Sequence, residues 1–235
     1  RTYAFLGLER AGGIAIYDIT NPADAHFDQY LTFADHVSPE GVTFVPGSQS
    51  PTNQPLLLIA NEVSGTIAIA SPIHLSEEPD VVEEEEEVGC LAADTGNHLA
   101  IDCENQYTVM GDTDVHWQLV GEYDSGLGEG ASEIPAYDAH SQRAFIVNAV
   151  TGSVDIIDLS NPSSPELVHR IVVNNGEPNS VAVHNGIVAV AVAGTGDEGS
   201  GMSKQDAGFA VFMDTDGNSI ATVAAGALPD MITFT

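Results

Sequence analysis

The stretch RAFIVNAVTGSVDIIDLSNPSSPELVHRIVV, residues 143–173, contains three short apolar segments separated by residues that favour turns. Each segment is rich in β-branched or aromatic side chains, which favour strands, and Gly or Pro interrupts the pattern between them. The stretch therefore predicts a meander of three strands at residues 144–148, 154–159 and 167–173.

The same pattern recurs along the chain. Asp18-Ile19-Thr20-Asn21-Pro22 corresponds to Asp158-Leu159-Ser160-Asn161-Pro162, and a polar residue opens successive units at Glu40, Glu133, Asn179 and Asp230. Repeating units of four strands and about 40–50 residues are typical of β-propellers. A β-sandwich, the alternative, does not need a polar residue at each unit start. The sequence predicts an all-β fold, a β-propeller of four-stranded antiparallel blades with about four blades present.

The repeat divides the chain into three parts. Residues 1–72 and 115–235 consist of propeller blades, and residues 73–114 form an acidic insertion or linker. Residues 1–33 supply three strands and lack an innermost strand before them. Residues 115–123 alternate as a strand does, and we interpret them as the delayed fourth strand of the interrupted unit. A fifth unit begins at Pro229.

The charge balance disfavours anionic partners. The sequence holds 35 acidic and five basic residues, for a formal net charge of −30. Such a surface repels nucleic acids and anionic membranes, so neither is expected as a partner. The excess of acidic over basic residues suits a salty medium or a surface that binds divalent cations. Glu83 to Glu87 are five carboxylates in a row, which we expect to be solvated unless cations bind. No apolar run approaches the roughly 20 residues of a membrane span.

Two cysteines occur, Cys90 and Cys103, and their spacing fits neither a CxxC redox motif nor a zinc site. One disulfide that closes a small loop is the favoured interpretation, and it would stabilise the chain by about 3 kcal/mol. Two buried free thiols are the alternative. A disulfide would indicate an extracellular or periplasmic location.

Several stretches resemble one family. They are TYAFLGLERAGGIAIYDITNP, PEGVTF, PLLLIANEVSGTIAI, LVGEYDSGLGEGASEIPAYDAHSQRAFIVNAVTGSVDIIDLSNP, NSVAVHNGIVAVAVA and ALPDMITFT. Together they resemble the choice-of-anchor I family of secreted bacterial and archaeal propeller proteins, which is related to LVIVD-type repeats. The order differs from the family's, because GLER and IANEVSG lie near the family's C-terminal end and LVGEYDSG near its start. A tandem junction and a permuted or trimmed propeller both explain that order.

The resemblance implies a secreted or surface-displayed protein. Members are often labelled alkaline-phosphatase-like or mesenchyme-specific-glycoprotein-like, labels that rest on similarity. The expected location is therefore extracellular or at the cell surface, with the periplasm as a further option.

Polar residues at the strand ends are the candidate ligand-binding residues. In a propeller the inner strands line a central channel, so Glu40, Glu133, Asn179 and Asp230 are expected to form a ring of oxygen ligands at one end. Ends of second strands add Glu9, Asn61, Glu62 and Asn148 near the other side of the inner hairpin. Calcium prefers such oxygens, and we predict it at Glu40, Glu133 and Asp230. The competing interpretation is that these groups cap strand ends and hydrogen-bond neighbouring blades.

Other motifs carry weaker signals. Arg10 beside Glu9 predicts an ion pair, or else a clamp for a carboxylate or phosphate ligand. Asp214 and Asp216 resemble the start of a calcium loop, but Ala225 stands where the bidentate Glu of an EF-hand would be, so a hairpin turn is favoured. His36, His116, His140 and His184 are scattered and are read as surface or strand-end residues.

These observations favour a non-enzymatic surface module for adhesion, matrix building or assembly over an enzyme. Its expected partners are other surface proteins, glycans or copies of itself. The alternative is a calcium-dependent phosphoesterase in which clustered metals bind phosphate. The sequence shows no GxSxG, HExxH or CxxCH motif, which favours the first interpretation.

Overall fold

The computed structural model describes residues 1–74, 99–102, 107–111, 115–194 and 206–235. The acidic run 83–87 and both cysteines lie outside the described residues, so the predicted disulfide stays a prediction. The described part consists of strands joined by turns, with two short 3₁₀ helices at Pro22–Asp24 and Gly47–Gln49. Neither of these helices is long or apolar enough to span a membrane.

The strands form four antiparallel sheets, here called blades 1 to 4 in chain order. Blade 1 contains β1 (Tyr3–Gly7), β2 (Ile14–Asp18) and β3 (His26–Phe33). Blade 2 contains β4 (Pro39–Val45), β5 (Leu56–Asn61), β6 (Thr66–His74) and, after β7 (Leu99–Asp102) and β8 (Tyr107–Gly111), β9 (Val115–Asp124). Blade 3 contains β10 (Pro135–Asp138), β11 (Arg143–Asn148), β12 (Ser153–Asp158) and β13 (Glu166–Val172). Blade 4 contains β14 (Gly176–His184), β15 (Ile187–Gly194), β16 (Ala207–Asp214) and β17 (Ser219–Ala227).

Each blade packs face to face against the next. Ile16 of blade 1 shares a core with Leu57 of blade 2, Leu58 of blade 2 with Ile146 of blade 3, and Phe145 of blade 3 with Val190 of blade 4. Blades 2 and 3 therefore bury both faces, whereas each sheet of a two-sheet sandwich buries one. The inner strands β4, β10 and β14 contact one another in turn. This arrangement is that of a β-propeller, so the predicted fold class is confirmed.

Double burial explains the composition of the second strands. All six residues of β5 are buried, as are five of the six residues of β11. A strand that is buried on both faces reads as a continuous apolar run rather than an alternating one. The runs LLLIAN and RAFIVN thus follow from the position of each strand between two blade interfaces.

The interrupted unit is completed as expected. Strand β9 pairs antiparallel with β6, and Ile67 lies opposite Tyr123. The insertion also contributes two strands that the sequence did not predict: β8 pairs with β3 and β7 with β8, which gives blade 1 the order β1-β2-β3-β8-β7. Part of the predicted linker therefore belongs to a blade.

Candidate cation-binding site at the inner strands

Three glutamates from two blades meet near the inner strands, and we call them the three-glutamate cluster. Glu40 lies on β4, Glu62 directly follows β5, and Glu133 precedes β10. One carboxylate oxygen of each lies within 4.8 Å of the corresponding oxygen of the other two. Glu40 is exposed, and the other two are half-buried. The site is therefore open on one side.

Backbone hydrogen bonds place the cluster. The β4–β5 register sets Pro39 opposite Asn61, so the end of the second strand lies beside the start of the inner strand. The amide of Glu62 donates to the carbonyl of Ser38 at 2.8 Å, and the Glu62 carbonyl accepts from Gly130 at 2.9 Å. The Glu62 backbone thereby connects blade 2 to the segment that leads into blade 3.

A glycine lets the two blades approach. A Cβ at Gly41 would collide with the backbone carbonyl of Glu133 and with the ring of Pro135. Any larger residue would push the start of β10 away from β4. Gly41 therefore holds its neighbour Glu40 beside Glu133.

Two of the three carboxylates, Glu40 and Glu133, have raised pKa values. Burial, followed by the charges of Glu40, Glu62 and Glu177, raises the pKa of Glu133 to about 7. The pKa of Glu40 is also raised, first by desolvation and then by Glu62 and Glu9. No basic group lowers either pKa. Near neutral pH the cluster consequently holds either a proton or an uncompensated negative charge.

The spacing of the cluster matches one shared hard cation. Calcium binds oxygens at about 2.3–2.6 Å, so two oxygens on the same ion lie at most about 5 Å apart. The 4.8 Å limit of the cluster falls within that span. Three carboxylates supply three to six oxygens, and water completes calcium's usual six to eight. The donor set is hard oxygen only, which suits calcium better than zinc.

The predicted asparagines have structural roles. Asn61 is buried, and its Nδ2 donates to the carbonyl of Ile59 at 3.0 Å. Asn148 is buried as well, and its Nδ2 donates to Asp155 Oδ2 at 3.1 Å. Asn179 donates from Nδ2 to the carbonyl of Pro229 at 3.1 Å. These contacts agree with the interpretation that strand-end amides hydrogen-bond within and between blades.

The expected ring is only partly formed. The structure brings Glu40 and Glu133 together, but Asp230 is exposed and is not a member of the cluster. Glu62 joins Glu40 and Glu133 rather than lying across the hairpin from them. The antiparallel register is the reason, because it returns the end of β5 to the start of β4. Glu9 pairs with Arg10 at 2.9 Å, the ion pair that the sequence favoured.

Asp214 and Asp216 form a turn. Asn218 Nδ2 donates to Asp214 Oδ2 at 2.9 Å, and Asp214 Oδ1 accepts from the amides of Asn218 at 2.8 Å and Asp216 at 3.0 Å. These bonds, the one from the Asn218 side chain foremost, lower the pKa of Asp214. Asp216 pairs with Arg143 Nη1 at 2.5 Å. Asp214 is therefore engaged within the hairpin between β16 and β17, as the favoured interpretation had it, and Asp216 is engaged by Arg143 of β11.

Two residues with electrostatic roles were missed from sequence. Glu177 acts on the pKa of Glu133 from β14, and its place two residues before the unit start Asn179 was the available signal. His36 was read as a surface or strand-end residue, but it is 8% exposed. Its Nδ1 lies 2.8 Å from Thr66 Oγ1 and its Nε2 lies 3.2 Å from Glu122 Oε2.

A separate cavity of about 600 Å³ lies between blades 3 and 4. Its lining is mainly apolar and includes Ile171, Val173, Phe209 and Met213. None of the clustered glutamates lines it, so the cavity and the cluster are distinct features.

Comparisons with known proteins agree with the family resemblance. Residues 133–235 match the model of the choice-of-anchor I domain. No curated protein matches the sequence.

Solved structures of low sequence identity are also similar to this chain. A β-propeller domain of Cps50 (Swd1) from Myceliophteria thermophila is 11% identical with a TM-score of 0.47, over 90% of this chain and 53% of that one. A nidogen/laminin complex is 10% identical with a TM-score of 0.48, over 95% of this chain and 62% of that one. AztD from Citrobacter koseri is 10% identical with a TM-score of 0.44, over 92% of this chain and 44% of that one. The chain thus spans between 44% and 62% of the length of these three.

The matched segment contains all of blades 3 and 4, and it begins at Glu133 of the three-glutamate cluster. The resemblance expected from the sequence is thereby confirmed over residues 133–235, which match the choice-of-anchor I domain model and are folded as propeller blades.

Proposed function

We propose that the chain is a non-enzymatic binding module of a secreted or cell-surface protein, and that a calcium ion at the three-glutamate cluster stabilises it. Its partners would be other surface proteins, glycans or copies of itself. The observation that carries the calcium part is the convergence of Glu40, Glu62 and Glu133 from two blades.

The electrostatics of the cluster support a cation. Among the described residues, none of the ion pairs includes a member of the cluster. Every cause acting on the pKa of Glu133 raises it, so the carboxylates lack compensation. A divalent ion would remove the repulsion and hold the starts of β4 and β10 together. The net charge of −30 disfavours phosphate and nucleic-acid ligands unless several cations are bound.

Thermal melts with calcium and with chelator test the proposal. A ligand that binds only the folded state at 100 times its Kd adds about 2.7 kcal/mol of stability. For a chain of this size, that shifts Tm by about 5–10 °C. We expect such a rise for the wild type and none for a Glu40→Gln, Glu133→Gln double variant. Glu166→Gln, an exposed glutamate on β13, is the matched control and should respond as the wild type does.

A pH series sharpens the same experiment. Because Glu133 must lose its proton to bind a cation and its pKa is about 7, the calcium-induced rise in Tm should shrink as pH falls through 7. An equal calcium response in wild type and double variant, or none in the wild type, contradicts the calcium part.

Hydrolysis of a model phosphomonoester tests the enzymatic alternative. We expect no calcium-dependent turnover above background. Turnover that depends on calcium and disappears in the double variant would overturn the non-enzymatic proposal and leave the calcium site in place.

A further inference from the structure

The cavity between blades 3 and 4 lies beside β17, and the register of the sheets shows which residues of blade 2 correspond to that strand. In blades 2 and 4 alike, the inner pairing carries a bulge at the unit start and the outer pairing a second bulge. An equal length of the second strand separates the two bulges. Leu119, which lies opposite Ala70, is therefore equivalent to Ser219, which lies opposite Met213.

Blade 4 lacks the large side chains that blade 2 has at these positions. Leu119 and, two residues earlier, Trp117 pack in the core between blades 1 and 2. The corresponding residues of blade 4 are Ser219 and Gly217, and both line the cavity. The lining residues that follow on β17 are also small, namely Thr222 and Ala224. The cavity thus arises because β17 does not supply its share of the side-chain layer between two blades.

The remaining walls are apolar and include groups that favour aromatic ligands. Ile171 and Val173 of blade 3 line one side, and Phe209 and Met213 of β16 line another. A ring beside Phe209 gains an aromatic contact, and a thioether such as that of Met213 also packs well on ring edges. Sheets that pack face to face are separated by about 10 Å of interdigitated side chains. Where β17 contributes little to that layer, the room left between the sheets suits a flat molecule.

Contacts between the blades hold one end of the cavity in shape. A Cβ at Gly217, whose φ is +84°, would lie 2.6 Å from Ile171 Cδ1, so bare backbone packs against the Ile171 side chain. Arg143 of blade 3 donates from Nη1 to the carbonyl of Thr215 at 2.8 Å and pairs with Asp216. The β16–β17 turn is thereby fastened to blade 3. Such a cavity is formed before a ligand arrives, as most small-molecule sites are.

The lining is free of charge, which sets the class of ligand. None of the described residues that line the cavity is acidic or basic, although the chain holds 35 acidic residues. A smaller pocket of about 200 Å³ on blade 3, by contrast, is lined by Asp158 and Glu166. An ion that entered the uncharged cavity would lose water without gaining a partner. The net charge of −30 would repel an anion in addition.

We propose that the cavity between blades 3 and 4 binds an uncharged, planar aromatic molecule. Its volume of about 600 Å³ falls within the roughly 300–1,000 Å³ of small-molecule sites. The exposed amides of Asn174 and Asn175, which also line it, are available to a neutral polar substituent. The site lies between two complete four-stranded blades and is independent of the calcium site.

Two dyes that share one aromatic skeleton test the proposal. N-phenylnaphthylamine is neutral, and anilinonaphthalene sulfonate adds one negative charge to the same rings. Titrations are followed by dye fluorescence with chelator present, in about 0.5 M NaCl to screen the long-range repulsion of the anionic dye. We expect the neutral dye to bind at one site per chain. We expect the anionic dye to bind at least about tenfold more weakly, because its charge has no partner in the lining.

Cavity-filling substitutions locate the bound dye. Ala224→Phe places a ring in the cavity and should abolish binding of the neutral dye. Ser219→Leu restores the side chain that blade 2 has at this position and should weaken binding at least about tenfold, as lost apolar volume does. Ala221→Phe is the matched control, because Ala221 lies on the opposite face of β17 and does not line the cavity. It should bind the dye as the wild type does.

Circular dichroism melts of each variant confirm that it is folded at the temperature of the titration. If Ala224→Phe does not fold, Ser219→Leu alone decides. The proposal is overturned if the neutral dye does not bind the wild type, or if both dyes bind it equally well. It is also overturned if the folded cavity variants bind the neutral dye as tightly as Ala221→Phe does.

Discussion

At the scale of single residues, His36 shows how a buried histidine can be held neutral. Its ring lies between the hydroxyl of Thr66 and the carboxylate of Glu122 and meets Phe33 edge to face. Burial lowers its pKa, and the charges of Glu122, Asp35 and Asp124 oppose that effect only in part. The neutral imidazole is therefore the form that suits the folded chain.

The lowered pKa of His36 predicts a pH dependence of stability. In the unfolded chain a histidine takes up a proton below about pH 6.5, whereas the folded chain resists it. The free energy of unfolding should thus fall as pH drops below that value. His36→Gln should flatten this decline between about pH 6.5 and 5, as measured by urea unfolding. His140→Gln, at an exposed position, should leave the wild-type profile unchanged, and an unaltered profile in His36→Gln would contradict the assignment.

Residue patterns predicted the site in part. Glu40 and Glu133 were predicted together because each opens a unit, and inner strands meet at the channel. Glu62 was recognised as a candidate but misplaced, since its location depends on which strand end the β4–β5 register brings beside Pro39. Asp230 opens a unit too, but it belongs to the segment beside blade 4, away from the cluster. A sequence repeat identifies which residues occupy equivalent positions in the blades, but it does not give the distances between their side chains.

At the scale of elements, a buried ion pair ties β12 to β13. Asp155 is 0% exposed, and Arg170 donates to both its carboxylate oxygens, from Nε and Nη2, at 2.7 Å each. Asn148 and Ser153 complete the hydrogen bonds of the same carboxylate. A buried charge needs such full pairing to be tolerated.

Removal of Arg170 should destabilise the chain strongly. Arg170→Ala leaves the Asp155 carboxylate buried without its cation, which costs about 3–5 kcal/mol. Arg143→Ala is the matched control, because its partner Asp216 is 63% exposed and such pairs contribute at most about 1 kcal/mol. Chemical denaturation of both variants measures the difference. Equal losses would show that Asp155 does not depend on Arg170.

The strands themselves were largely predictable, with one informative exception. Second and third strands such as β11 and β12 were found because double burial makes them continuous apolar runs. Strands β7 and β8 were missed because LAID and YTVMG are short and lie outside the repeat. Their pairing with β3 links positions that are distant in sequence, and a local pattern does not encode such a contact.

At the scale of the whole molecule, the dominant feature is like charge. With a net charge of −30, carboxylates repel one another across the surface, and compact packing brings them closer than they are in the unfolded chain. Salt weakens this repulsion, since the Debye length falls from about 30 Å at 0.01 M to about 3 Å at 1 M.

Stability should therefore increase with monovalent salt. We expect Tm to rise by several degrees between about 0.01 and 0.5 M NaCl, a range over which the Debye length shrinks below typical charge separations. The melt is run with chelator, so that calcium at the three-glutamate cluster does not contribute. A Tm that is flat or falls with salt would mean that local ion pairs outweigh the net repulsion.

Strand β9 also carries the chain's one tryptophan, Trp117, which is 5% exposed in the core between blades 1 and 2. Its indole meets Phe5 and Phe44 edge to face, with ring centroids 5.4 and 6.5 Å away. Strand β6 ends at His74 and β9 begins at Val115, so their pairing closes a long loop. The entropy cost of closing that loop is larger than for two strands joined by a hairpin. Indole emission consequently reports the docking of that returning strand in the core between blades 1 and 2, whereas circular dichroism averages over every blade.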